Sequence, residues 1–352
     1  MGGVNLPLEL PISPMLATAT ATLPTDPGFA HEPKWDGFRC IISRDGDQIV
    51  LGSRGRKELT VYFPEVVDAL TGWLPDGVVL DAELVVRRGS AGAERLDWDA
   101  LTQRIHPAAS RITLLSEQTP AELVCFDLLA AAGADLTPLG WDERRSRLEE
   151  VFAGLPTNPR VHLGQYTTDP DLALQWFTAF EGAGLDGVVS KPRAGAYLPG
   201  KRGWLKIKHK RTAEAVVIGY RIHKRGHGIG SLLLGLYDDD GILRPVGGIG
   251  AFTDELRTSL VAELEPLVKR DSDGEPVLLD KPRSRFSKST DPVSIALEPQ
   301  LVAEVAFDQL EGDRFRHAVT LVRFRHDSDP RSCLLAQIDQ APSYDLAQVL
   351  SR

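Results

Sequence analysis

Short runs in which apolar and polar residues alternate, interrupted by glycines, dominate the first two thirds of the chain. This alternation predicts β-strands, because successive side chains of a strand point to opposite faces of a sheet. Segments with apolar residues three and four positions apart predict helices, and one of them opens with an Asp-Pro start signal. The predicted strands are residues 39–43, 48–51, 77–86, 121–129, 187–190 and 204–208, and the predicted helices are residues 62–74, 98–105, 142–152 and 171–180.

The pattern changes after Arg211, and all six tryptophans lie before this point. Because strands and helices do not alternate strictly in the first part, we predict an α+β domain there. Five short strands at fairly even spacing and one helix in the second part favour a small closed barrel such as an OB-fold. We place the boundary near residue 212, which gives domains 1–211 and 212–352. The predicted elements of the second domain are strands 215–220, 231–237, 243–249, 301–308 and 318–324 and helix 254–268.

Length and composition agree with this division. A chain of 352 residues suggests two domains, and 42% hydrophobic with 25% charged residues excludes a disordered or fibrous protein. Three scattered cysteines argue against a disulfide framework and against a cysteine zinc site. No apolar run reaches the ~18 residues of a membrane span, and the N-terminus lacks a signal pattern. We therefore expect a soluble intracellular protein without a membrane partner.

The formal net charge of −9 excludes a protein whose whole surface is basic. Residues 201–225 nevertheless contain nine Lys or Arg against the single Glu214. Because this run straddles the predicted domain boundary, it favours a phosphate-binding cleft over a solvated face, which is the alternative. The candidate nucleic-acid contacts within it are Lys201, Arg202, Lys224 and Arg225.

The segment at residues 31–39, His-Glu-Pro-Lys-Trp-Asp-Gly-Phe-Arg, concentrates reactive side chains. Lys34 supplies an amine, and Gly37 lets the backbone approach a ligand closely. Arginine outnumbers lysine 29 to 11 in the chain, so a lysine can mark a place that needs an amine able to lose its proton and attack, which a guanidinium cannot do. The alternative is a solvated hairpin turn.

This segment resembles the first motif, Lys-x-Asp-Gly, of the ATP-dependent DNA ligases in the covalent nucleotidyltransferase superfamily. The resemblance extends from Pro14 to about Pro330, and companion motifs follow in the family order. It implies a nucleotidyltransferase domain of antiparallel sheets with helices, followed by an OB-fold barrel. Within the family, the chain is similar to the compact bacterial ligase C and ligase D group.

Three companion motifs precede residue 130. Ser-Arg-Gly at residues 53–55 resembles the segment whose arginine contacts the ribose and the nick phosphate, which implies that role for Arg54. Strand alternation places Asp81 and Glu83 on one face of a strand that resembles the third motif; an exposed edge strand is the alternative. Phe126 resembles the aromatic residue that stacks on adenine, although a phenylalanine alone is more often a core residue.

Two companion motifs lie between residues 185 and 210. Asp186 stands where the fourth motif of the ligases usually has glutamate, which implies a metal ligand with a shorter reach. In the segment that resembles the fifth motif, alternation places Lys206 and Lys208 on the same strand face as Trp204. Such a row of ammonium groups favours an anion-binding site over a solvated strand, because like charges repel unless an anion lies over them.

The last motif of the family is Arg-x-Asp-Lys, and residues 325–328 of this chain read Arg-His-Asp-Ser. The resemblance implies that Arg325 contacts the pyrophosphate of ATP from the barrel domain. Because Ser328 replaces the lysine of the motif, that contact would fall on Arg325 alone or on Arg323 as well.

The resemblance implies a covalent mechanism. Lys34 would attack the α-phosphorus of ATP to form lysyl-AMP, AMP would pass to a DNA 5′-phosphate, and a 3′-hydroxyl would displace it to seal the nick. Glu32 would accept a hydrogen bond from the adenine amino group, and Arg39 would neutralise the phosphate or contact the ribose. Glu83 and Asp186 are the candidate ligands of Mg²⁺ or Mn²⁺.

The expected partner is nicked duplex DNA, with DNA repair proteins as further candidates, and the expected form is a monomer in the bacterial cytoplasm, acting at the nucleoid. Two other classes stay open at this point. An RNA ligase or capping-type nucleotidyltransferase would share the lysine chemistry and differ in substrate. A non-catalytic OB-fold protein would keep the basic run without needing a reactive lysine.

Overall fold

The computed structural model describes residues 6–209, 211–223, 228–279, 293–308, 310–338 and 344–350. These residues form two compact units. The first unit comprises residues 6–209 together with 344–350, and the second unit comprises residues 211–338. The division near residue 210 lies close to the predicted boundary at 212, whereas residues 344–350, which we assigned to the second domain, pack with the first unit.

The first unit is built from strands and helices in mixed order. Its strands are β1 (Leu16–Ala19), β2 (Phe29–Pro33), β3 (Phe38–Asp45), β4 (Gln48–Ser53), β5 (Val79–Arg88), β6 (Arg95–Leu96), β7 (Ala121–Ala131), β8 (Ala134–Asp135), β9 (Val161–Leu163), β10 (Gly187–Pro192) and β11 (Arg202–Lys208). Its helices are α1 (Pro64–Leu70), α2 (Trp98–Gln103), α3 (Ala109–Gln118), α4 (Trp141–Ala153) and α5 (Pro170–Ala179), with single 3-10 turns at Thr60–Tyr62 and Phe180–Ala183.

These strands form two sheets. The smaller sheet has the order β1-β11-β10-β2, and the larger has the order β4-β3-β5-β7-β8, with β6 on β5 and β9 on β7. Most neighbours are antiparallel, the parallel pairs being β1 with β11 and β7 with β9. The α+β prediction is therefore confirmed.

Strand β5 illustrates how the sequence pattern becomes a buried sheet. Leu80, Ala82 and Leu84 are fully buried in the core that the larger sheet shares with helices α1, α2 and α4. Asp81 and Glu83 occupy the opposite face, as the alternation predicts. Because β5 lies between β3 and β7, the alternative of an exposed edge strand is wrong.

The helices agree in place with the sequence pattern but differ in extent. Helix α5 begins where the Asp-Pro signal predicts, and the Asp169 side chain accepts a hydrogen bond from Asp171 N at 2.9 Å. The predicted helix at 62–74 is shorter, because Pro64 cannot extend the preceding 3-10 turn and instead starts α1. Helix α3 was not predicted, since most of its residues are polar and Leu115 is its one buried side chain.

The Lys-x-Asp-Gly segment connects the two sheets. Strand β2 pairs with β10 in the smaller sheet, and β3 pairs with β4 and β5 in the larger. The hairpin-turn alternative is therefore wrong, because β2 and β3 do not pair. A Cβ atom at Gly37 would lie 2.1 Å from the carbonyl oxygen of Leu84, so the crossing backbone is too close to β5 for any other residue.

The second unit contains a six-stranded antiparallel sheet of order β14-β13-β12-β16-β19, with β15 on β12. Its architecture agrees with the OB-fold prediction, and all five predicted strands are present. Helix α6 is capped by Thr253 and ends four residues before the predicted position, where a 3-10 turn that contains Pro266 follows. The strands are β12 (Arg211–Ile222), β13 (Ile229–Tyr237), β14 (Leu243–Ile249), β15 (Ser294–Ala296), β16 (Val302–Phe307), β17 (Leu310–Glu311), β18 (Arg314–Phe315) and β19 (Thr320–Arg325); the helices are α6 (Asp254–Leu264) and 3-10 turns Glu265–Leu267, Pro330–Ser332 and Leu335–Gln337.

The described chain ends in a short helix, α7 (Ala347–Leu350). Among the described helices, none has the length and apolar content that crossing a membrane requires.

Candidate active site

A pocket in the first unit brings together residues from both sheets and from the segment that connects them. Six cationic side chains and two carboxylates line it, an excess of positive charge in a chain whose net charge is −9. A concave site of this sign concentrates a polyanion. The cations are Lys34, Arg39, Arg54, Lys191, Arg202 and Lys206, and the carboxylates are Glu32 and Glu83.

Lys34 follows β2 directly, and its Nζ forms an ion pair with Asp186 Oδ2. Two backbone hydrogen bonds hold this pair in place: Lys34 N donates to Gly187 O, and Asp186 N donates to Lys34 O, each at 2.9 Å. A Cβ atom at Gly187 would lie 2.0 Å from Ile207 O, so this position needs glycine. The side chain and the backbone of Lys34 are therefore both held by the segment that contains Asp186 and Gly187.

Asp186 also accepts from Lys208 Nζ at 3.0 Å. Burial alone would raise the pKa of Asp186, but the ammonium groups of Lys34 and Lys208 outweigh burial and hold the pKa below its usual range. On the same strand, burial lowers the pKa of Lys206, and repulsion from Lys34 and Lys208 lowers it further. Lys206 thus lines the pocket, and Lys208 reaches the carboxylate that holds Lys34.

Arg39 is anchored within the larger sheet. Its guanidinium pairs with Asp81 through two nitrogens, and Tyr197 Oη donates to Asp81 Oδ2 at 2.6 Å. The guanidinium carbon lies 4.6 Å from the centroid of the Phe126 ring and 5.0 Å from that of Trp204. Asp81 therefore orients Arg39, a role that sequence reasoning did not assign.

Glu83 differs from the neighbouring acids because no hydrogen bond or ion pair joins its carboxylate to another described residue. Burial raises its pKa to about 7, against the opposing effect of Arg39 and Lys34. Among the described residues, no three His, Cys, Asp or Glu side chains cluster as a metal cage would require. Mg²⁺ is commonly held by one or two carboxylates together with substrate phosphates, so Glu83 and Asp186 fit such an ion.

A buried network borders the pocket, and of its members sequence reasoning identified Glu32 alone. Lys191 Nζ donates to Glu32 Oε2 at 2.8 Å and lies 3.9 Å from Asp127 Oδ2. Arg144 binds Asp127 through two nitrogens, at 2.8 and 3.1 Å. We call Glu32, Asp127, Arg144 and Lys191 the Lys191 network. The sequence signal was present, since Lys191 follows Asp186 by five residues and is the one charged residue of strand β10.

Glu32 Oε1 is buried and has no hydrogen-bond partner in the described structure. Burial raises the pKa of Glu32, and Lys191 opposes that shift. Since a buried acceptor without a partner is costly, Oε1 is suited to a ligand donor in the pocket. Phe126 and Trp204 are both nearly buried and line the same pocket, and Trp204 is a further wall residue to which the sequence assigned no role.

Of the five predicted nucleic-acid contacts, three lie within the described residues. Arg54, Lys201 and Arg202 are exposed, and Arg54 and Arg202 also line the pocket. Lys224 and Arg225 lie outside the described residues.

In the second unit, Arg325 donates to Asp327 at 2.9 and 3.1 Å and pairs with Glu214. Arg323 donates to Glu304 at 2.7 Å. The hydrogen bonds from Arg325 lower the pKa of Asp327 to about 2. We call these five residues the Arg325 cluster.

Comparison with known proteins covers both units. The model of the ATP dependent DNA ligase domain matches residues 14–208, and that of the ATP dependent DNA ligase C terminal region matches residues 225–328. The chain is 49% identical over 356 residues to DNA ligase C1 of Mycolicibacterium smegmatis and 44% identical over 360 residues to DNA ligase C of Mycobacterium tuberculosis, in each case covering 99% of both chains. A solved structure of a Lig E DNA ligase shares the fold, with a TM-score of 0.56 and 16% identity over 89% of this chain and 100% of that chain.

Proposed function

The chain belongs to the ATP-dependent DNA ligase family and is an ATP-dependent DNA ligase, and from this premise we propose that Lys34 is the residue that takes AMP from ATP. The observation that carries this assignment is that the lysine of the Lys-x-Asp-Gly motif lies in a cationic pocket with its Nζ fixed by Asp186.

In the first step, Lys34 Nζ loses a proton and attacks the α-phosphorus of ATP. An N–P bond forms while the bond to pyrophosphate breaks, which leaves AMP on the lysine. Lys206 and Lys208 stabilise the negative charge that builds on the phosphoryl oxygens, because fixed cations in a partly dry site act strongly on developing charge. This role is supported by the ion pairs that Lys34 and Lys208 both form with Asp186 and by the position of Lys206 in the pocket lining.

The Lys191 network supports recognition of adenine. Glu32 Oε1 would accept a hydrogen bond from the adenine amino group, whereas guanine presents a carbonyl oxygen at the same edge and would be repelled. Lys191 opposes the effect of burial on the pKa of Glu32 and holds Oε2, which leaves Oε1 for the ligand. Phe126 supplies the stacking surface for the base, and Arg39 contacts the ribose or the α-phosphate.

Glu83 and Asp186 would hold Mg²⁺ or Mn²⁺ together with the phosphates of ATP. The ion would neutralise charge on the triphosphate. Glu83 is suited to this because its carboxylate has no other partner among the described residues.

After the first step, AMP passes from Lys34 to the 5′-phosphate at a nick in duplex DNA. The 3′-hydroxyl then attacks that phosphate and displaces AMP, so a phosphodiester bond replaces the DNA-adenylate bond. Arg54, Lys201 and Arg202 are the described candidates for DNA phosphate contacts, and Lys224 and Arg225 stay predictions from the sequence. Arg325 would contact pyrophosphate in the first step. The family motif has a lysine at the position of Ser328, and Arg323 would take over the role of that lysine.

The chemistry fits nick sealing during DNA repair by a monomer in the bacterial cytoplasm, acting at the nucleoid, where repair proteins would supply nicks. The substrate class and the similarity to bacterial ligases C support this proposal.

The test is the mass of the intact protein after incubation with ATP and Mg²⁺. We expect the native chain to gain one AMP, and Lys34→Arg to gain none although it keeps the positive charge, because a guanidinium is a poor nucleophile. Incubation with GTP serves as the control for base recognition. An AMP adduct on Lys34→Arg would rule out this assignment.

A further inference from the structure

The chain returns to the first unit after the second. Residues 344–350, which we call the return segment, belong to the first unit although residues 211–338 separate them from the rest of it. Leu346 is fully buried and Val349 is nearly so. A segment of seven residues that buries two apolar side chains is docked through tertiary packing rather than through its own helix, which is too short to be stable alone.

Polar contacts fix the register of this docking. Leu346 N donates to Glu94 O at 2.9 Å, and Asp345 Oδ1 accepts from Glu94 N at 3.3 Å. The Tyr344 ring lies 5.1 Å from the Phe180 ring, centroid to centroid. The return segment is thus held by a backbone hydrogen bond, by the carboxylate of Asp345 and by the ring of Tyr344.

The core that receives the return segment also supports the reactive lysine. Leu346 and Val349 pack in one hydrophobic cluster with Trp35 and Leu185. Trp35 is the residue after Lys34 and also lines the pocket, and Leu185 is the residue before Asp186. The two backbone hydrogen bonds between Lys34 and residues 186–187 join the same two segments.

From this arrangement we propose that the return segment is a positioning element for Lys34, completing the core on which both Lys34 and its partner Asp186 are mounted. The proposal rests on the assignment of Lys34 as the nucleophile. Packed cores shift when a buried side chain is removed, and a displacement of about 1 Å in a reacting group can cost roughly 100-fold in rate. Loss of this packing therefore acts on the step in which Lys34 attacks.

The test separates the lysine-dependent step from the sealing step. In Leu346→Ala, we expect the rate of lysyl-AMP formation to fall by about 10-fold to 100-fold. Sealing of a nick whose 5′-phosphate already carries AMP does not use Lys34 as a nucleophile, so its rate should fall less than about 3-fold. Leu70→Ala is the matched control, because Leu70 is equally buried in the same unit but lies in the core on the helical side of the larger sheet.

Thermal unfolding of both variants shows whether equal amounts of folded protein are compared. If Leu346→Ala does not fold, Tyr344→Ala and a chain ending at residue 340 take its place, and a peptide of residues 341–352 should restore adenylation to the shortened chain. Equal loss in both steps, or the same step-specific loss in Leu70→Ala, would overturn the proposal. Adenylation of Lys34→Arg would instead overturn the assignment of the nucleophile, so the two failures are distinguishable.

Discussion

The pocket of the first unit and the Arg325 cluster of the second both concentrate charged side chains, but they hold them differently. Lys191 is 1% exposed and Asp186 3%, whereas Arg323 is 62% exposed and Asp327 73%. Buried charges need fixed partners, and removing one partner is costly. Exposed pairs contribute little to stability and can exchange partners readily.

This difference suits two different tasks. In the proposed function the pocket is prepared before ATP binds, since Lys34, Lys208 and Lys191 already have carboxylate partners. In the Arg325 cluster, Arg323 and Asp327 are exposed and Arg325 is 24% exposed, so an incoming anion can compete with Asp327 for the arginines. We expect mutations in the first region to change stability and function together, and those in the second to change function with little effect on stability.

The largest expected effect on stability is at Lys191. Lys191→Met leaves Glu32 buried without its cation, so the free energy of unfolding should fall by about 3–5 kcal/mol. All six tryptophans lie in the first unit, so their fluorescence during urea denaturation reports this loss. The matched change is Arg323→Met, whose stability is measured by calorimetry. It should lower the free energy of unfolding by less than about 1 kcal/mol. Similar losses in the two variants would remove the contrast between the regions.

The next prediction concerns a substitution that should slow one reaction step and leave the stability of the protein nearly unchanged. Arg325→Ala should slow lysyl-AMP formation by an amount equivalent to about 2.7–4 kcal/mol, as one well-placed charged donor to a transition state contributes. It should still seal a nick that already carries AMP, because pyrophosphate has left by then. Lys206→Ala should impair both reactions. Rates of both steps under single-turnover conditions check this, and equal loss of both in Arg325→Ala would argue for a role in folding or DNA binding instead.

The smallest expected effect is a pH dependence. Because the pKa of Glu83 is raised to about 7 in the folded protein, the folded state binds more protons than the unfolded state between about pH 4.5 and 7. The contribution of Glu83 to the free energy of unfolding is therefore present at low pH. It is lost as the pH rises through 7, which lowers the free energy of unfolding by up to about 3 kcal/mol. In Glu83→Gln this loss should disappear, which urea denaturation at pH 5 and pH 8 measures.

Asp327 provides the control from the other region. Its pKa is lowered to about 2, so its contribution is present above about pH 4 and is lost only as the pH falls through 2. Asp327→Asn should leave the change in stability between pH 5 and pH 8 as it is in the native chain. If Glu83→Gln also left that change unaltered, the buried carboxylate would not be the titrating group.

Much of the fold follows from patterns within single elements. Alternation along β5 and β11 places Asp81 with Glu83 and Lys206 with Lys208, and the Asp-Pro signal locates the start of α5. Helix α3 escaped this reasoning because most of its residues are polar and it buries Leu115 alone. The family motifs also identified the nucleophile candidate, since their order along the chain is a property of the sequence.

Contacts between distant segments could not be read in this way. The pairing of Lys191 with Glu32 joins residues 159 positions apart, and the return segment reaches Glu94 across more than 250 positions. Periodicity and capping signals report what a residue does within its own strand or helix, where the spacing of side chains is set by backbone geometry. Whether a buried charge finds a partner, and which core a terminal segment completes, depends on how separate elements pack, and that is determined only when the whole chain is folded.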